Sequence, residues 1–211
     1  MTTPIDEFLL RPENLETALQ LMEHVERVRL QIFQEFWDGV RQDLDARLRD
    51  AGLDDKWMTA YFHPSIRDRY STLAIYWRAG WEADERDNHS RPYVGAEGMT
   101  GNPGPCVLVV HRGVGEGVGP EKQDPIDQEL GQRLQNRGLK GTKWSIGMRQ
   151  FIRDGLPSFA LTDTAVVMSL LSDRAAGKIR SDVVKLIWDV FQESQGALEE
   201  LAKKDPYRTA H

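Results

Sequence analysis

A single cysteine, Cys106, is all that this 211-residue chain carries. That excludes an internal disulfide framework and any zinc site built from several thiolates. The default setting for such a chain is a reducing cytoplasm. Long apolar runs are missing too. No stretch approaches the ~18 consecutive apolar residues that read as a membrane span, so no membrane partner is expected. The opening segment, residues 1–13, has no basic region followed by an apolar stretch and does not read as a signal peptide. Histidine is sparse: His24, His63, His89, His111 and His211 fall in no HxH or HExxH spacing. The acidic run Glu82, Asp84, Glu85, Asp87 reads as a solvated turn. No metal and no cofactor is expected.

What is present suits a packed core. The composition is 40% hydrophobic and 28% charged, which argues against global disorder. The length fits one domain over 1–211, with a helical arm (1–52), a sheet-rich middle (53–160) and C-terminal helices (161–205). The net charge of −6 is unevenly spread. Residues 126–160 reverse its sign, with Asp127, Glu129 and Asp154 against Arg133, Arg137, Lys140, Lys143, Arg149 and Arg153.

From Asn14 to about Asp50, apolar residues recur at helical spacing: Leu15, Leu19, Met22, Val25, Ile32, Phe33, Phe36, Val40, Leu44 and Leu48. Asn14 is the expected cap and Gly52 the expected stop. A helix this long would extend ~55 Å at 1.5 Å per residue, beyond the ~35–40 Å diameter expected of a compact chain of this size. Either it breaks near Gly39, or it protrudes and pairs with something. Residues 56–63, 73–81, 91–99 and 105–112 are aromatic and β-branched, separated by polar or Gly/Pro turns such as 102–105, and predict consecutive antiparallel strands. In the second of these, Leu73, Ile75, Trp77 and Trp81 fall on one face and Tyr76 and Arg78 on the other. A short helix over 125–136 follows. Residues 142–152 then alternate as a half-exposed strand, with Trp144, Ile146, Met148 and Ile152 inward and Lys143, Arg149, Phe151 and Arg153 outward. Helices over 163–175, capped by Asp163, and 179–203 close the chain, and the last residues read as frayed. The fold class is α+β: a mainly antiparallel sheet packed by a long N-terminal helix and two C-terminal helices.

The search for chemistry is short. The glycine-rich loop 113–120 follows a strand, but no GK[ST] follows it and Pro120–Pro125 separates it from the next helix, so it reads as a surface loop and not a phosphate cradle. Cys106 and His111 stand five apart on a strand and face opposite sides, which rules out a nucleophile–base pair within that strand. The six tryptophans read as core. The basic segment says more. Arg133 and Arg137 lie one turn apart on a helix face. Gly138-Leu139-Lys140-Gly141 makes a basic turn, and Lys143, Arg149, Phe151 and Arg153 share the outer face of the strand after it. Cations beside an exposed aromatic suit a nucleic-acid surface.

From Leu130 onward, LGQRLQNRGLKGTKWSIGMRQF, then LPSFALTDTAVVMSLLSD and VVKLIWDVFQE, the chain resembles the region after the catalytic core in one group of PD-(D/E)XK nuclease-like bacterial proteins. The nuclease motif itself is missing: Glu97 is followed by Gly98 and Met99, where a lysine would stand two residues on. The resemblance implies an accessory or recognition domain without cleavage, in a phage-related or defence setting. No catalytic residue carries over.

The leading expectation is thus a non-enzymatic interaction module working through a helix-mediated homo-oligomer or a protein partner, with Val25, Ile32, Phe33 and Phe36 at the interface. A second reading is a nucleic-acid-associated accessory domain using the 133–153 surface. A third is an enzyme whose site assembles from residues distant in sequence.

Overall fold

The computed structural model describes residues 3–62, 71–78, 92–100, 106–112, 125–142 and 145–204. Two helices open the chain, α1 (Pro4–Leu9) and α2 (Pro12–Asp50). Strands β1 (Trp57–Phe62), β2 (Thr72–Trp77), β3 (Pro92–Glu97) and β4 (Val107–Arg112) follow. Then come α3 (Pro125–Asn136), β5 (Ser145–Gln150), a 3-10 turn (Phe151–Asp154), α4 (Thr164–Ala176) and α5 (Lys178–Lys204). The fold is α+β, as the patterning predicts.

The five strands lie in the order β1-β2-β3-β4-β5, and every neighbouring pair is antiparallel. Each strand pairs with its sequence neighbour, the arrangement expected of strands that follow one another as an antiparallel meander. One face carries Trp57, Leu73, Ile75, Trp77, Val94, Ala96, Leu108 and Val110, and it packs beneath α2 and α5. Trp57 stacks edge-on against both Trp77 and Phe191 of α5, with ring centroids 5.1 and 5.0 Å apart. The other face carries Ala60, Ala74, Tyr76, Tyr93 and Val109, all buried. Leu73, Ile75 and Trp77 do share a face, opposite Tyr76; Trp81 lies outside the described residues.

Helix α2 does not break at Gly39. It runs 39 residues, about 58 Å, and the glycine serves a different purpose. The Arg180 side chain of α5 lies so close that a Cβ on Gly39 would stand 2.8 Å from it, and Arg180 pairs with Asp43 at 3.0 Å. Proline at the first helical turn starts α2, with Arg11 as N-cap. Asn14 is not the cap: its amide instead donates to the Phe8 carbonyl (2.9 Å), tying α2 to α1.

The fifth strand ends earlier than its alternation suggests. After Gln150 the backbone turns into the 3-10 segment, and this reverses two assignments. Phe151 is fully buried, while Ile152 is 55% exposed. Phe151 meets Phe159 edge-on at 5.7 Å, and Phe159 also touches Phe36 and Trp37. The Trp37 indole N–H donates to the Met99 carbonyl (3.1 Å), so this aromatic knot fixes α2 to the far end of β3. Phe159 holds a left-handed backbone (φ 55°), a costly conformation for a bulky residue that the surrounding rings hold in place.

Candidate interaction surfaces

Helix α2 divides in two. From Ile32 onward, Ile32, Phe33, Phe36, Trp37, Val40, Leu44 and Leu48 are buried in the core against the sheet, α4 and α5. From Leu21 to Val28 every residue is exposed, two turns in succession. Leu15, Leu19, Leu21, Met22, Val25 and Val28 are 41–62% exposed. On α1 and at its C-cap, Ile5, Phe8 and Leu10 are 58–72% exposed. The expected interface residues therefore separate. Val25 lies on the open arm; Ile32, Phe33 and Phe36 belong to the chain's own core, because α4 reaches them and no second chain is required to cover them. Arg29 to Thr164 (3.2 Å) and the ion pair of Glu35 with Arg174 mark where the arm leaves the body.

The arm's pattern is regular. Leu15 and Met22, and Ala18 and Val25, repeat at seven residues, with Leu19, Leu21 and Val28 flanking them. Glu16, Thr17, Gln20, Glu23, His24 and Arg27 occupy the opposite side. The result is an apolar stripe about 20 Å long at helical rise.

The basic segment does not present itself as one surface. Arg133, Lys140 and Arg153 are exposed. Arg137 is paired with Glu193 of α5 at 2.5 Å. Arg149 is paired with Asp154 at 2.7 Å, and its guanidinium also donates to the Arg137 carbonyl. Lys143 lies outside the described residues. Phe151 is inside the core and cannot stack on a base. The alternation that put it outside is a strand rule, and the chain leaves the strand one residue before it. Lys140 serves the sheet as well: its backbone bridges to Met148, extending the edge of β5.

Cys106 is buried in the α2/α5-facing core, and burial pushes its thiol up, which keeps it neutral and weakly nucleophilic. His111 stands on the other face, stacked on Tyr93 with ring centroids 4.8 Å apart. The two do face opposite ways. The Tyr93 hydroxyl donates to Glu97, whose carboxyl is pushed up by burial and held down in part by that same hydrogen bond. Among the described residues no group of three or more His, Cys, Asp or Glu could hold a metal ion. Nor is any described helix long and apolar enough to cross a membrane. The glycine-rich loop 113–120 and the acidic run 82–87 lie outside the described residues.

Patterning gives no sign of the most deeply buried ion pair among the described residues. Arg112, the last residue of β4, meets Asp127 in the first turn of α3 at 3.2 Å, and both side chains are almost wholly buried. The only local hints are an arginine ending an apolar strand and an aspartate opening a helix. Their partnership crosses a long connection that no periodicity reports.

Comparison with protein-family models, with curated proteins and with solved structures finds no match for this chain.

Proposed function

We propose that this protein is a non-enzymatic interaction module that assembles through its N-terminal arm, and that the arm's first partner is a second copy of the same chain. The observation that carries this is the run Leu21–Val28, exposed on all sides of a helix whose apolar stripe continues unbroken into the core. Isolated helical segments of such length are marginal in water and gain their stability from packing.

Self-complementarity supports a second copy. In an antiparallel pairing centred near Gln20, Leu15 faces Val25 of the other copy and Ala18 faces Met22, small against large. One patch thereby serves both sides of a two-fold interface. Antiparallel pairing also keeps the two bodies apart, at opposite ends of the paired arms. Removing the large apolar side chains of both arms from water is the driving force for this pairing.

Sedimentation equilibrium across micromolar concentrations tests this. A concentration-dependent dimer that Met22→Asp converts to monomer, with the melting temperature kept when both proteins are compared too dilute to dimerise, supports it. A wild-type protein that stays monomeric at high micromolar concentration ends it.

A further inference from the structure

The outer face of α3 and the turn leading into β5 enclose a cleft of about 500 Å³, away from the arm. That volume lies within the roughly 300–1,000 Å³ typical of small-molecule sites. Its floor is the Arg112–Asp127 pair, 3% and 6% exposed at the side chains. Two opposite charges this deeply buried form a unit without net charge. Desolvating them is costly, and replacing such a pair with apolar residues is often neutral or stabilising.

The walls repeat the theme of polarity without charge. Gln128, Gln132 and Gln135 stand at i, i+4 and i+7, one stripe on the cleft side of α3. Each carboxamide both donates and accepts. Across from them the Thr142 and Ser145 hydroxyls lie 2.9 Å apart. Gly131, in the middle of α3, faces the same space. Glycine there costs about 1 kcal/mol against alanine, and packing does not require it: among the described residues, a Cβ at 131 would meet nothing closer than Ile146 at 3.8 Å. What its absence preserves is room in the cleft.

We infer that this cleft binds a small uncharged polyhydroxyl ring, either a free sugar or the ribose of a nucleoside. A ring hydroxyl can donate to a carboxylate or carboxamide oxygen while accepting from a guanidinium or amide N–H, so neighbouring hydroxyls match both members of the floor pair at once. A lone anion or cation would be drawn by one member of the floor pair and repelled by the other, 3.2 Å away, with no net gain.

The test is two-dimensional amide NMR on the full chain, which resolves glutamine side-chain amides as well as the backbone. Glucose, galactose and mannose, the uncharged nucleosides adenosine and cytidine, and inorganic phosphate are titrated separately. Saturable shifts confined to 125–146 with a hexose, or with the nucleosides alone, support the inference and distinguish its two sources. Gln132→Ala, which removes one hydrogen-bonding carboxamide, should weaken that binding severalfold, and Gly131→Leu, which fills the cleft, by at least about tenfold, each variant being confirmed as folded by circular dichroism. Shifts caused by phosphate and by no polyol, no shifts with any probe, or undiminished binding in both variants would each overturn it.

Discussion

Gly95 of β3 sits so close to Ala74 of β2 that a Cβ built on it would stand 2.3 Å from the alanine's own Cβ and 2.3 Å from the Leu73 carbonyl. The two residues are direct cross-strand partners at the centre of the sheet. Neither obstacle can rotate away, because one is backbone and the other a methyl fixed on it. Gly95→Ala should therefore force the strands apart and cost on the order of 3 kcal/mol. A lowered urea midpoint reads this; an unchanged midpoint means the strands part freely.

Asp173 opens the last helix from the end of the one before. Its carboxylate accepts from the Ile179 and Arg180 amides at 2.8 and 3.0 Å, which would otherwise be unpaired at the start of α5. Asp173→Ala should lower stability by about 1–2 kcal/mol and Asp173→Asn by less, since asparagine still caps. Chemical denaturation of the two variants side by side gives the order.

Glu97 supplies a pH signature. Burial holds its carboxyl above the ordinary 4.5, so the folded state binds its proton more tightly than the unfolded chain does. Folding stability from this group is thus fully present below the ordinary value and is lost as pH rises through the raised one. Glu97→Gln keeps an oxygen for the Tyr93 hydroxyl and removes the charge. The variant should match wild type in acid and become the more stable of the two toward neutral pH. Melting curves across that range check it, and a gap that does not change with pH refutes it.

The two halves of α2 should respond differently to the same chemistry. Phe33→Asp places a charge at a fully buried position and should unfold the protein. Leu19→Asp and Met22→Asp replace side chains 53% and 60% exposed and, measured too dilute for the arms to pair, should leave the melting temperature within about 1 °C. Should Met22→Asp melt as early as Phe33→Asp, the arm is packed in the monomer.

Periodicity located the elements because it is a local property. A stripe at helical spacing shows over 14–50, and alternation shows over 73–77, whatever the rest of the chain does. It also separated Tyr76 from Ile75, and Cys106 from His111, since successive strand residues point to opposite faces. Pattern could not say where a stripe stops being core. Val25 and Phe33 look alike in sequence, and only the placement of α4 and α5 buries the second and leaves the first in water. Phe151 went wrong for a related reason: the strand gives way to a 3-10 turn after Gln150, and Phe151 packs on Phe159, which joins it to the knot around Trp37, a contact that alternation does not report.

By itself, then, the sequence determined the class of fold, the order of helices and strands and the inward face of the second strand, because these follow from spacing and turn chemistry within a few residues. The tertiary structure alone decided which apolar residues remain uncovered, which basic side chains already have carboxylate partners, and that Arg112 meets Asp127 beneath a polar cleft. Each of these depends on distances between residues that the chain brings together only when it folds, and single-chain periodicity carries no information about such distances.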